Sequence, residues 1–257
     1  VTDIYFMMLN FSTHKIVIIP VMLATGLSAA LIPTITEYFT LGKYNALRNA
    51  MDKTYQILLF ITVPAAVGIM ILSPFIYHVL YEQSDMGAAV LAHYAPVAIL
   101  FALFSVTASL LQGIDYQKWI IFSLLTGVLT KLVLNIPLIK WLQVDGAILA
   151  TAIGYGVTIT INIFVIHKAL DYQSTMVRRR ILLIFILTGV MAVAVGITVT
   201  LLNTFLSADT KLMAVVYCLV GVGVGAGVYG FISFRIGLAQ KLLGAKVTKI
   251  ANKLGFK

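Results

Sequence analysis

Seven apolar stretches, each long enough to cross a bilayer, fill most of this chain, and together they carry more apolar surface than a soluble fold can bury. They run Lys15 to Ile35, Tyr55 to Leu80, Ala88 to Leu111, Trp119 to Ile139, Gly146 to His167, Ile181 to Leu206 and Leu212 to Phe234. A hydrocarbon core about 30 Å thick takes roughly 20 helical residues. Hydrophobic residues make up 61% of the chain and charged ones 11%, against about 25% charged in a soluble domain, so the solvent for most of this surface is lipid. The runs are continuous rather than alternating every second residue, which selects helices over barrel strands. The sequence predicts an all-α fold, a polytopic membrane bundle of seven transmembrane helices.

A net charge of +9 raises the question of a nucleic-acid partner, and the placement of the basic residues argues against one. On the side reached after the first span lie Lys43, Arg48, Lys53, Lys118, Lys168, Arg178, Arg179, Arg180, Arg235, Lys241, Lys246, Lys249, Lys253 and Lys257, fourteen of the eighteen. The opposite side holds Lys140 and Lys211, with Lys15 at the outer end of the first span and Lys131 inside the fourth. Such asymmetry marks the cytoplasmic side. It predicts a multi-pass protein of the cell membrane whose N-terminus here is outside and whose C-terminus is cytoplasmic. Arg178 to Arg180 read as topology determinants.

Cys218, the single cysteine, lies inside the seventh span and reads as a small packing residue. The chain opens Val1-Thr2-Asp3 with no signal peptide, and an odd number of spans starting outside leads to the expectation of a fragment with further helices upstream. All six prolines, Pro20, Pro33, Pro64, Pro74, Pro96 and Pro137, fall in the first four spans, where each frees a carbonyl and permits a bend. The last two spans have none. The predicted organisation is an outer segment 1–14, a five-helix lobe 15–168, a basic linker 169–180, a C-terminal helix pair 181–234 and a basic tail 235–257. In the last span Gly221, Gly223, Gly225, Gly227 and Gly230 let a neighbouring helix approach closely; two readings follow, a tightly packed straight pair or a lipid-binding groove.

Two segments on the basic side have the pattern of interfacial helices. In one, Tyr44, Leu47, Met51 and Tyr55 recur at three and four residues; in the other, Leu243, Val247, Ile250 and Leu254 do so beside lysines. The chemistry of the spans centres on charge held deep in the membrane at a cost of about 3 kcal/mol on insertion scales. Lys131 is the one formal charge in mid-span, with Asn135 one turn on and Pro137 following; Lys15, beside His14, is a second positive group near the start of the first span. These three, Lys15, Lys131 and Asn135, are the candidate substrate-binding residues, and for both lysines snorkelling to the interface is the competing reading. Asp115, Asp145, Glu82, Asp85 and the four histidines read as interfacial residues. No catalytic constellation, cofactor motif or metal-ligand spacing is seen, so an enzyme is not expected.

An ordered set of short matches carries a family resemblance: His14-Lys15-Ile16-Val17, Pro20, Ala30-Leu31-Ile32-Pro33-Thr34-Ile35, Gly42, Leu47, Pro64, Tyr94-Ala95-Pro96, Leu111-Gln112-Gly113, Lys118, and Lys131 with Leu134-Asn135-Ile136-Pro137. This set resembles the second half of a polysaccharide-biosynthesis flippase, and more closely the lipid II flippases of Gram-positive bacteria within the multidrug/oligosaccharidyl-lipid/polysaccharide exporter superfamily. The resemblance covers residues 5 to 168 well and the last pair by hydropathy and order. It implies helices eight to fourteen of a fourteen-helix flippase of a bacterial cell membrane. It further implies alternating access of an undecaprenyl-pyrophosphate-linked cell-wall precursor, with the headgroup in a cationic cavity between lobes and the lipid tail in a groove beside the last pair. The implied partners are the lipid-linked oligosaccharide, membrane lipids and an N-terminal lobe of the same protein. Lys15 matches the family's basic cavity position, where the compared murein flippases have arginine; lysine offers a point charge without the bidentate fork.

A flippase for another lipid-linked repeat unit is a near alternative, and a cation-coupled drug exporter a farther one, although exporters favour acidic cavity groups. A seven-helix receptor shares the topology but lacks its usual signals here: no outer cysteine pair, no arginine motif after the third span and no lysine in the seventh.

Overall fold

The computed structural model describes residues 12–81, 85–171, 175–205 and 210–243. Helices follow one another along the described chain: α1 (His14–Thr40), α2 (Tyr44–Leu80), α3 (Asp85–Tyr94), α4 (Val97–Gly113), α5 (Gln117–Leu142), α6 (Val144–Leu170), α7 (Thr175–Phe205), α8 (Lys211–Arg235) and the short α9 (Leu238–Leu243). Six stretches among the described residues are long and apolar enough to cross a membrane, α3 and α4 counting as one. The remaining predicted span, Lys15 to Ile35, lies within the 27 residues of α1, roughly 40 Å of helix. The polytopic helical bundle is as expected.

Proline acts less often than its number suggests. Pro20, Pro33, Pro64, Pro74 and Pro137 sit inside continuous helices, and Pro96 alone coincides with a break, between α3 and α4. A proline has no N–H to give and crowds the residue before it. Here Ala95 still bonds to Leu91 O (2.9 Å) while Ile99 bonds back to Pro96 O (3.1 Å), so two separate ladders meet at the break. At the other end of the bundle, Gly42 takes a φ of +63° between α1 and α2. There Lys43 N–H donates to Tyr38 O at 2.9 Å, which closes α1 with the left-handed cap that glycine favours.

The stripe Leu47, Met51 and Tyr55 corrects one expectation. These residues are not laid in the headgroup plane; they begin the 37-residue α2 without interruption. All three are buried among Ile35 of α1, Ala102, Val106 and Leu110 of α4, and Val165, Ile166 and Leu170 of α6. Periodicity alone cannot distinguish a lipid-facing stripe from one that faces other helices. The second stripe, after α8, falls almost wholly outside the described residues. The stretch 169–180 is also more helical than expected, since α6 runs through Leu170 and α7 starts at Thr175.

Two further clusters complete the core. One joins α1, α3 and α4 near the end opposite the basic loops, around Val17, Leu91, Tyr94 and Ala98. The other joins α7 and α8 to α2 through Leu59, Val63, Leu72, Phe75, Ile184, Met191, Ala214 and Tyr217, with the Phe75 and Tyr217 rings stacked at 4.4 Å. α5 lies at the edge of the bundle, one face on α6 and the other showing Ile121, Leu129, Val133 and Ile136.

The glycines distribute the close approaches differently from the expectation. In α8, Gly221 meets the Leu72 side chain and Gly225 meets Val195, whereas Gly223, Gly227 and Gly230 face open space. The tightest crossing joins α5 to α6. A Cβ at Gly127 would come to 2.6 Å of Gly154 O, one at Gly154 to 2.8 Å of Gly127 O, and one at Gly146 to 2.0 Å of Leu138 O. Backbone packs on backbone there, as small residues allow in membrane helices.

Candidate functional site

A series of polar and aromatic side chains runs in contact from one end of the bundle to its middle. α1 starts it: Lys15 is exposed and its neighbour His14 half-buried, with Nδ1 3.0 Å from the hydroxyl of Tyr94, the last residue of α3. From there, rings touch in sequence. Tyr94 meets Phe101 of α4 (6.1 Å between centroids), and Phe101 meets Tyr155 of α6 edge-on at 4.6 Å. Tyr155 then lines a recess of about 100 Å³ between α5 and α6 that also contains Lys131, Gly154, Thr151 and Thr158. Asp145, near the start of α6, pairs with His93 beside Tyr94. Tyr155 follows ten residues later, so the line descends about 15 Å from end to middle at 1.5 Å per residue.

Lys131 is partly buried where α5 and α6 touch: a Cβ on Gly154 would sit 3.0 Å from that of Lys131. No carboxylate pairs with it among the described residues. Asn135 lies one turn along α5, and its Oδ1 is buried with no hydrogen-bond partner. The two are thus neighbours on one helix, and the ring contacts lead from the recess at Lys131 toward the turn that carries Lys15. No direct contact joins Lys15 to Lys131.

Sequence reasoning missed the polar knot below this recess. Asn162 of α6 sits fully buried; its Oδ1 accepts from Ser123 Oγ of α5 at 2.6 Å, and its Nδ2 donates to Thr107 Oγ1 of α4 at 3.1 Å. Thr158 Oγ1 adds a bond to Ser123 O at 3.2 Å. An asparagine in mid-span is costly unless satisfied, and that cost was a usable signal. His78, read as interfacial, is buried in α2. His93 Nδ1 lies 2.7 Å from Asp145 Oδ1 with both side chains more than half exposed, a pairing of α3 with α6 that spacing along the chain does not reveal.

A second feature begins at the same turn of α1. An apolar groove of about 590 Å³ runs between α1, α2, α7 and α8, lined by Ile16, Ile19, Pro20, Pro64, Ala65, Gly68, Leu72, Met191, Val195, Gly221, Gly225 and Tyr229, among others. Tyr229 turns its hydroxyl away to donate to Phe60 O at 3.0 Å. Ile19 and Lys15 are four residues apart, hence on one face of α1, and both are exposed. A cation and an apolar groove therefore adjoin along a single stripe of α1.

At the basic end, Arg48 of α2 donates through Nε (3.1 Å) and Nη2 to Leu170 O, the last carbonyl of α6. Arg180, expected only to set topology, also donates from Nη1 to Gln56 Oε1 at 2.8 Å. Gln56 is 1% exposed. Basic side chains thus satisfy the last carbonyl of α6 and the amide oxygen of a buried glutamine.

Fold and site define an integral, polytopic helical membrane protein with an exposed cation next to an apolar groove. The family model for the lipid II flippase MurJ matches residues 9–220, and the chain belongs to that family. It is 42% identical over 244 residues to the lipid II flippase MurJ of Bacillus subtilis (strain 168), a match that covers 93% of this chain and 45% of the relative. The uncharacterized membrane protein YabM of the same organism is 26% identical over 84% of this chain and 40% of its own length. A solved structure of the lipid II flippase MurJ in an inward closed conformation superposes with a TM-score of 0.62 at 15% identity, over 88% of this chain and 49% of that one. The chain spans a little under half the length of these relatives.

Proposed function

We propose that the chain is the second lobe of a flippase that carries an undecaprenyl-pyrophosphate-linked cell-wall precursor of the lipid II type across a bacterial cell membrane by alternating access. The observation that carries this reading is the adjacency of Lys15 to the groove. An amphiphile with an anionic headgroup and a long hydrocarbon tail needs a cation and a lipid-filled trough side by side, and α1 offers both on one stripe. Family membership and the 42% identity to a lipid II flippase support the same substrate class. In this reading Lys15 and Lys131 attract the diphosphate and Asn135 adds a polar contact. The exposed stripe of α1 from Lys15 through Met22 and Gly26 to Pro33 faces the first lobe across the cavity. The alternation of basic loops supports a cytoplasmic C-terminus. The protein acts as a transporter and makes no covalent change to its substrate.

The test uses the full-length protein in a strain depleted of its own flippase, with membrane abundance measured beside growth. Lys131→Ala is expected to abolish rescue at normal abundance, since loss of a costly buried charge does not hinder insertion; Lys131→Arg retains part of it. Gly68 lines the groove and a Cβ added there meets nothing within 4 Å, so Gly68→Phe is expected to fill the groove and block rescue. Full rescue by Lys15→Ala and Lys131→Ala together overturns the site, and a loss of abundance in parallel with function assigns Lys131 to stability instead.

A further inference from the structure

Tyr155 is the aromatic residue of the recess that holds Lys131, and its hydroxyl is uncommitted. Two buried tyrosines elsewhere commit theirs within the protein, Tyr94 with His14 Nδ1 and Tyr229 with Phe60 O, each at 3.0 Å. The Tyr155 hydroxyl has no hydrogen-bond partner among the described residues, although a tyrosine in apolar surroundings normally finds one. Its ring, by contrast, is firmly held. Phe101 and Phe104, three residues apart on α4 and so on one face, stand at 70° and 69° to it with centroids 4.6 and 5.6 Å away. All three rings are partly buried, so the plane of Tyr155 is set before any ligand arrives.

The other hydroxyls of the recess are engaged. Thr151 donates to Ala147 O at 2.8 Å, and Thr158 lies within bonding distance of Gly154 O at 3.0 Å and Ser123 O at 3.2 Å. Among the described lining side chains, the donors left for a guest are the Lys131 ammonium and the Tyr155 hydroxyl, and neither suits hydrocarbon. The recess is small, about 100 Å³, so it takes one part of a headgroup rather than the whole. A sugar joined to a diphosphate matches this pair: the phosphate suits the ammonium, and the C–H face of a pyranose suits the electron-rich face of an aromatic ring. We propose that Tyr155 is the stacking platform for the hexose next to the diphosphate, with Lys131 beside it on the phosphate. The recess then recognises the saccharide as well as the charge. The proposal rests on the reading of the protein as a carrier of a lipid-linked saccharide. Because Phe101 and Phe104 fix the ring, stacking costs little rotamer freedom, and the hydroxyl stays available to a sugar oxygen.

The experiment takes the full-length protein in nanodiscs of neutral lipid and measures its affinity for two ligands. One is a prenyl diphosphate carrying a disaccharide; the other is the same prenyl diphosphate closed by a methyl ester, which keeps the charge and removes the sugar. The wild type is expected to bind the saccharide about tenfold more tightly, the size of one well-made ring contact. Tyr155→Leu is expected to lose about tenfold for the saccharide and less than about twofold for the methyl ester, while Tyr155→Phe keeps most of the preference. Lys131→Ala is expected to weaken both ligands alike. Equal affinity of the wild type for the two ligands, a preference that survives Tyr155→Leu, or its loss in Tyr155→Phe overturns the platform and leaves the diphosphate reading standing. Equal weakening of both ligands by Tyr155→Leu assigns the ring to structure and overturns it too. Undiminished affinity for both ligands in Lys131→Ala places the headgroup elsewhere, which also ends the proposal. Absence of binding by the wild type overturns the flippase reading and the platform with it. Should Tyr155→Leu fail to accumulate, Phe104→Leu takes its place, since it frees the ring; an undiminished preference there overturns the proposal.

Discussion

The two flanks of the bundle are joined by opposite means. α5 meets α6 with backbone against backbone at Gly127, Gly146 and Gly154, and a fully buried Ser123–Asn162–Thr107 network fixes their register. α7 and α8 meet α2 through large side chains, Phe75 on Tyr217 and Leu72 against Gly221, and leave a groove of about 590 Å³ alongside. A contact between backbones has no rotamer to yield. One made by side-chain ends can yield, and it is this side that borders the trough. The lesson is that one membrane helix bundle can pair a rigid flank with an adaptable one.

Equal substitutions on the two flanks break or sharpen that contrast. Gly127→Ala forces a methyl to 2.6 Å of Gly154 O, and overpacking of this kind costs about 1–3 kcal/mol; thermal unfolding of the purified protein in detergent should show the largest drop of the series. Next comes Asn162→Leu, which removes two interhelical bonds worth about 0.6 kcal/mol each on average in a membrane protein. Ser123 can turn its single hydroxyl proton to Ile120 O and Thr107 keeps its bond to Phe104 O, so a loss of about 1–2 kcal/mol is expected in the same assay. Gly221→Ala brings a Cβ to 2.6 Å of Leu72 Cδ2, the end of a side chain. Its cost should stay under about 1 kcal/mol, and a loss equal to that of Gly127→Ala would end the distinction between the flanks. Smallest is Gly223→Ala, which meets nothing within 4 Å and should be neutral or gain up to about 1 kcal/mol from helix propensity.

Much of this architecture was legible because a bilayer imposes a length. Spans two to seven in the sequence correspond to stretches long and apolar enough to cross, with ends moved by a few residues. What escaped was everything that depends on which helix faces which. Leu47, Met51 and Tyr55 have the same spacing whether they face lipid or α4 and α6, and five glycines of α8 look alike although two of them are in close contact. Lys131 stood out as a mid-span charge, and Asn135 through its spacing from it. His14 was visible beside Lys15, but its bond to Tyr94 spans eighty positions and left no local trace. A groove was one of two readings of the α8 glycines, but its lining could not be read from them, because it needs four helices to exist.

The grip of Arg48 on Leu170 and of Gln56 on Arg180 spans 122 and 124 positions. At 5–20 residues per second of synthesis, about 6–25 s separate the emergence of α2 from that of its partners. For that interval Gln56, buried in the finished lobe, has neither its arginine nor the closing helices around it. The order of synthesis therefore leaves α2 as an early post with unmet polar groups at one end, and the arrival of α6 and α7 finishes it. A delay introduced between residues 120 and 170, for example by slow codons, is expected to expose that post for longer and to lower the yield of assembled protein without any change in its sequence.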